Sequence, residues 1–239
     1  MSKSTDKLIV ALDVDDLNSA KEIVDKLYPI VNIFKVGSQL FTNIGPAAVE
    51  LAKNKGADVF LDLKFHDIPN TVANAARAAT RLDVFMLNLH VQGGFGMMKT
   101  AAIAVKEEAK RLNIKPPIVL GVTVLTSIGE KDLKDLEIRK GVKSQVTYLA
   151  KLAKEAGLDG VVASAEEIQP IRWTCGDDFI IVVPGVRPEW AAKDDQKRTA
   201  TPAEAIKLGA DYIVVGRPIL EAQDPKSAAE KIIKEINEA

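Results

Sequence analysis

The chain has one cysteine in 239 residues, Cys175, which excludes an intrachain disulfide and fits a reducing compartment. It has almost no net charge: 32 basic and 33 acidic side chains leave −1 at pH 7. Nothing electrostatic therefore favours nucleic acid or an anionic membrane surface as a partner. No apolar run approaches the ~18 residues needed to cross a bilayer, and runs such as Phe179 to Val183 are far too short. Ser-, Gly- or Pro-rich linkers, low-complexity tracts and clear short-period repeats are missing too. Neither a G-x-G-x-x-G string nor a His/Cys cluster at metal-ligand spacing occurs, so no cofactor and no metal are expected. The start, MSKSTDKLIVALDV, enters a strand pattern without a signal-peptide layout, and a cytoplasmic protein is expected.

What is present is alternation. Eight short apolar, β-branched runs recur at 8–14, 33–38, 58–64, 84–90, 118–125, 160–164, 179–186 and 212–216. Near-continuous apolar runs are what parallel strands covered on both faces need. Helical spacing fills the gaps: Ala20, Ile23, Val24, Leu27 and Tyr28, then Val146, Leu149, Ala150 and Ala153, and at the end Ala229, Ile232, Ile233 and Ile236. Ser19 with Glu22 reads as a capping box, and Thr201-Pro202-Ala203-Glu204 as another with proline at the first helical position. Eight strand–helix units in this length predict an α/β chain folded as a single (β/α)8 TIM barrel over residues 1–239. Alternation alone does not show closure, so a doubly wound open sheet is the alternative.

The string FLDLKFHDIPNT, residues 60 to 71, sets charges where a strand core should have none. Burying an unpaired charge costs several kcal/mol. Asp13 ends the first strand run, Lys35 lies near the end of the second, and Asp62 and Lys64 end the third. Residues two apart on a strand share a face, so Asp62 and Lys64 point together while Leu61 and Leu63 pack outward. In a barrel that shared face is the interior at the C-terminal mouth, where active sites form. Two acids and two bases there can pair across strands. A structural ion-pair network explains any one of them, but four on three consecutive strand ends favour an active site. At the other end of the chain, Gly185 and Arg187 follow strand seven, and Gly216 and Arg217 follow strand eight. Those two loops are the recurrent phosphate site of such barrels, and guanidinium supplies bidentate, permanently charged donors.

Together these strings resemble the orotidine 5′-phosphate decarboxylase family in its shorter bacterial form. The likeness runs in order through ALDV, FKVGSQLF, DLKFHDIPNT, NLHVQGG, GVTVLTS, PGVRP and ATPAEAIKLGADYIVVGRPI. A small departure is Val91-Gln92, where the family more often has alanine after the histidine; it touches nothing catalytic. The resemblance implies conversion of orotidine 5′-monophosphate to uridine 5′-monophosphate and CO2, the last step of de novo pyrimidine synthesis. It implies that Lys64 protonates C6, that Asp62 lies against the substrate carboxylate, and that Lys35 holds Asp62 and a ribose hydroxyl. Asp13 would bind ribose as well. Asp67, Ile68 and Thr71 would reach the neighbouring subunit's site in a homodimer, with Asp67 helping Asp62 to keep the lysines charged. Thr126 and Ser127 would contact the pyrimidine end, and Arg187, Gln196, Gly216 and Arg217 the phosphate. Two polar segments, 187 to 200 and 127 to 144, would close as loops over phosphate and pyrimidine.

Three rivals share parts of this pattern. A Mg2+-dependent keto-sugar-phosphate decarboxylase or aldolase of the same barrel group would need an acid on strand two, where this chain has Lys35. A non-enzymatic phosphate-binding barrel would not need Asp62, Lys64 and Asp67 together. A purely structural dimer with an ion-paired mouth is the third. His66 reads as a structural or interface hydrogen-bonder and His90 as packing beside the site, with no chemistry assigned. Cys175 reads as incidental, and Trp173 and Trp190 as packing or loop anchors.

Overall fold

The computed structural model describes residues 7–191 and 200–239. Its strands are β1 (Leu8–Ala11), β2 (Ile33–Gly37), β3 (Asp58–Phe65), β4 (Met86–His90), β5 (Ile118–Val122), β6 (Gly160–Val162), β7 (Ile180–Pro184) and β8 (Tyr212–Val215). Each pairs in parallel with the next, and β8 pairs with β1 through Leu8 opposite Ile213, which closes the barrel. That pairing rules out the open doubly wound sheet. Every strand falls on an apolar run of the sequence, β3 extending one residue further to Phe65.

The outer layer is helical. In chain order it comprises α1 (Leu17–Leu27), α2 (Ser38–Ile44), α3 (Ala47–Lys53), α4 (Pro69–Arg81), α5 (Phe95–Leu112) and α6 (Glu130–Asp135). Then follow α7 (Val142–Glu155), α8 (Ile168–Cys175), α9 (Pro202–Lys207), α10 (Arg217–Leu220) and α11 (Pro225–Asn237). The Thr201 box forms as expected: Thr201 Oγ1 accepts the Glu204 N–H at 3.2 Å and Glu204 Oε2 accepts the Thr201 N–H at 2.8 Å. The Ser19 box does not. Asp16 caps α1 instead, its Oδ1 accepting the N–H groups of Asn18 and Ser19 at 2.9 and 3.0 Å. The Ser19 hydroxyl is drawn onto the same carboxylate, 2.7 Å from Oδ2. The segment 127 to 144, expected as a loop, contains α6, whose Asp132 accepts the Gly129 N–H at 2.7 Å. Trp173 does not pack as expected; it is 82% exposed on α8, and Trp190 is 51% exposed. Cys175 is buried at the end of α8, and burial pushes its thiol pKa up, away from reactivity.

Strand parity divides the core in two. Leu8, Val10, Phe34, Val36, Val59, Leu61, Leu87 and Leu89 face the helices in a large outer core. Ile9, Ala11, Ile33, Phe60, Met86, Leu120, Val182 and Val214 fill the barrel itself. Stepping two residues onward from each inward position leads to the C-terminal mouth. On β1 to β4 those steps reach Asp13, Lys35, Asp62 and Asn88; on β5, β7 and β8 they reach Val122, Pro184 and Gly216. The mouth therefore has a polar half and an apolar half.

The opposite end is clamped by aspartates. Asp159, just before β6, accepts the Val119 N–H of β5 at 2.8 Å. Asp211, just before β8, accepts the Ile181 N–H of β7 at 2.7 Å and the Arg172 guanidinium of α8 at 2.7 Å. Arg172 also donates to the carbonyls of Phe179 and Gly209, both at 2.6 Å. Side chains thus fix register where no site forms.

Candidate active site

β3 leaves its regular ladder where the charges begin. Leu61 pairs with Leu87 but Phe65 pairs with Leu89, so β3 spends four residues where β4 spends two. Within this bulge Lys64 has φ 52°, the left-handed region that an L-residue adopts at a cost of about 1–2 kcal/mol. Such strain persists only where surrounding contacts impose it.

Those contacts form one connected network. Asp62, 7% exposed, is its centre. Its Oδ1 accepts from Lys64 Nζ at 2.8 Å and from Asn88 Nδ2 at 2.6 Å, while its Oδ2 lies 3.3 Å from Lys35 Nζ. Lys35 also donates to Asp13 Oδ1 at 3.0 Å. The order Asp13–Lys35–Asp62–Lys64 alternates in sign across β1, β2 and β3, which offsets the desolvation each charge suffers. Burial opposes the charged form of Lys35, but the carboxylates of Asp62 and Asp13 outweigh it and hold its pKa above the usual lysine value. Gly37 matters to this packing: a Cβ there would lie 2.9 Å from Lys35 Nζ.

The network forms one wall of a cavity of about 350 Å³. Asp13, Lys35, Asp62 and Lys64 line that wall. Thr126 and Ser127 enter from beyond β5, Gly185 and Arg187 from beyond β7, and Gly216 and Arg217 from beyond β8. Val122, Val124, Leu125 and Val162 make its apolar side. Arg187 is only 8% exposed, so its guanidinium is largely withdrawn from water, and its backbone N–H donates to the Ala200 carbonyl at 3.0 Å. Such a cavity, lined by two guanidinium and two ammonium groups, can hold an anion.

Most of the expected site residues thus meet in one place. Gln196 lies outside the described residues. Asp67, Ile68 and Thr71 do not line this cavity: Asp67 Oδ1 accepts the Ile68 N–H at 2.6 Å, and Ile68 is 67% exposed. Among the described residues no ion pair joins Asp67 to Lys35 or Lys64 within the chain; Asp13 and Asp62 hold those lysines instead. His66 and His90 stack with ring centres 5.4 Å apart, tilted by 37°. Burial, reinforced by His66 and Lys64, lowers the His90 pKa, which favours a neutral ring.

Asn88 is the residue that sequence reasoning passed over. It is wholly buried, and the signal was there: a lone amide inside the apolar strand MLNLH. No group of three or more His, Cys, Asp or Glu among the described residues is placed to hold a metal ion.

Comparison with known proteins gives the same picture from another side. Residues 6–232 match the model of the "Orotidine 5'-phosphate decarboxylase / HUMPS family". An orotidine 5′-phosphate decarboxylase of Moorella thermoacetica is 55% identical over 97% of this chain and 92% of its own length. That of Trichlorobacter lovleyi is 55% identical over 98% and 96%. Among solved structures, the orotidine 5′-phosphate decarboxylase of Lactobacillus acidophilus superposes with a TM-score of 0.86 at 40% identity, covering 97% of this chain and 99% of that one.

Proposed function

The chain belongs to the orotidine 5′-phosphate decarboxylase / HUMPS family, and on that premise we propose that it converts orotidine 5′-monophosphate to uridine 5′-monophosphate and CO2. The observation that carries the proposal is that the Asp13–Lys35–Asp62–Lys64 network lines the same cavity as Arg187 and Arg217. A nucleotide with a phosphate and a carboxylated ring matches those two sets of groups.

In the reaction the C6–carboxylate bond breaks, CO2 departs, and the electron pair stays on C6 in the plane of the ring, where the π-system delocalises it poorly. Lys64 Nζ, 33% exposed, answers that charge first as a fixed cation and then as the proton donor to C6, which gives the product. Asp62 orients Lys64 and lies against the substrate carboxylate. Lys35, kept charged by its two carboxylates, steadies Asp62 and meets the ribose together with Asp13. This scheme uses no cofactor. Thr126 and Ser127 contact the pyrimidine. Arg187, Gly216, Arg217 and Gln196 take the phosphate, whose binding aids the reaction to the extent that it is realised in the transition state. A Mg2+-dependent keto-sugar-phosphate reaction fits less well, because Lys35 occupies the space between Asp13 and Asp62 and repels a divalent cation.

The reading extends to a single-domain, cytoplasmic enzyme that acts as a homodimer. The outward position of Asp67 and Ile68 supports the homodimer: both lie just before α4, outside the lining of their own cavity and exposed toward a partner's.

The test follows the ultraviolet absorbance of orotidine 5′-monophosphate with purified protein in EDTA, beside Lys64→Ala. Loss of orotate absorbance that the variant abolishes is expected. A folded protein without turnover sends the search to keto-sugar phosphates with added Mg2+.

A further inference from the structure

The amide of Asn88 contacts the catalytic wall at two points and reaches no surface. Its Nδ2 donates to Asp62 Oδ1 at 2.6 Å, and its Oδ1 accepts the backbone N–H of Lys64 at 2.8 Å. These bonds sit in the interval where β3 and β4 lose their register, between Leu61 opposite Leu87 and Phe65 opposite Leu89. One side chain therefore replaces a missing rung of the ladder. It does so at the residue whose backbone is held at φ 52°.

We infer that Asn88 is a positioning residue for the proposed decarboxylation: it locks the β3 bulge so that the Lys64 ammonium and the Asp62 carboxylate face the substrate together. The inference rests on that reaction taking place at this mouth. Without Asn88 the part-buried Lys64 N–H would lose its acceptor, and the bulge would lose the contact that opposes its relaxation. A shift of one residue along a strand turns side chains to the opposite face, so even partial relaxation swings Lys64 away from C6. Asp62 would also lose the neutral donor that shares Oδ1 with Lys64. An amide suits this place better than either charged alternative. An ammonium would compete with Lys64 for Oδ1, and a carboxylate would repel Asp62.

The role differs from ordinary core packing in what it predicts. Asn88 touches neither Arg187 nor Arg217, so substrate capture through phosphate should survive its loss. Only the step at C6 should suffer, because a misplacement of about 1 Å at reacting atoms costs about 10²-fold in rate.

The experiment compares wild type with Asn88→Ala and Asn88→Asp, each shown to be folded by circular dichroism, in the orotate absorbance assay. Both variants are expected to lose about 10²-fold in kcat while KM stays within a small factor. Asn88→Asp adds a second signature. The groups around position 88 are Asp62 and Lys64 on β3, His90 on β4, uncharged Leu120 on β5, and Lys35 through Asp62. Beside Asp62 the added carboxylate takes up a proton more readily than usual, and once protonated it can donate to Oδ1 as the amide did. Its kcat should therefore rise toward acid relative to wild type, which Asn88→Ala should not show. If Asn88→Ala fails to fold, the acid limb of Asn88→Asp decides. Wild-type kcat in folded Asn88→Asp, or a flat ratio to wild type across pH, would overturn the inference. Absence of turnover in wild type would instead remove the reaction itself and the inference with it.

Discussion

Lys35 Nζ and Asp62 Oδ2 stand 3.3 Å apart, with only 12% and 11% of their side chains exposed. Removing one partner of such a pair leaves the other charge in a poorly solvated place. Lys35→Met is expected to destabilise the fold by about 3 kcal/mol, at the lower end for a broken buried pair because Asp62 keeps Lys64 and Asn88. The folded pKa of Lys35 lies above the ordinary value of 10.5, so its contribution is complete below that value and is lost as pH rises through the folded pKa. Urea unfolding midpoints should therefore differ most between wild type and Lys35→Met near neutral pH and converge at strongly alkaline pH. A constant gap would contradict the assignment.

Arg217 is expected to act on binding rather than on folding. Arg217→Ala should lower kcat/KM by about 10- to 100-fold, the effect of losing a hydrogen bond to a charged group. Its melting temperature should stay close to that of wild type. Unchanged kinetics would withdraw the phosphate assignment for the loops after β7 and β8.

Much of this arrangement was legible in the sequence, because it depends on parity and order. Charges at two-residue spacing on successive apolar strands had to share the inward face, and Lys35, Asp62 and Lys64 do. What could not be read is what depends on departures from the ladder. The bulge between Leu61 and Phe65 has no glycine to announce it, since strained Lys64 is held by contacts from another strand. The lone amide of Asn88 is visible in the sequence, but its two partners on β3 are not. The α1 cap was misplaced because Asp16 and Ser19 both qualify locally, and only the geometry shows the serine donating to the aspartate.

The proposed sharing of sites across a homodimer predicts recovery on mixing. Chains carrying Asp67→Ala and chains carrying Lys64→Ala, each inactive alone, should regain activity when unfolded together and refolded as a mixture. One of the two sites in a mixed dimer would then have both intact residues. Failure to recover, with mixed dimers demonstrated by differential tagging, would place Asp67 outside the neighbouring site.

Glu108 on α5 predicts behaviour at the acid end. Arg81 of α4 donates to its Oε1 at 2.6 Å, and Arg111 donates to both carboxylate oxygens at 2.7 and 3.1 Å. The Arg111 and Arg81 hydrogen bonds lower its pKa from 4.5 to about 2. A depressed folded pKa contributes stability that is complete above 4.5 and lost as pH falls toward about 2. Glu108→Gln should thus melt at lower temperature than wild type at neutral pH, and the two should converge below about pH 2 to 3. A difference independent of pH would mean that the side chain matters by shape alone.

The aspartate clamps at the closed end of the barrel bear on what can be changed in this protein. Asp159 ties β6 to β5, and Asp211 with Arg172 ties β8 to β7, all at the end away from the cavity. Strand alignment in that half is set where no ligand binds. Loops after β5, β7 and β8 are accordingly expected to tolerate changes of length with less loss of strand alignment than β3 would suffer. A laboratory seeking new substrates has its editable surface there. The bulged β3 offers no such freedom, since its alignment and its chemistry are the same contacts.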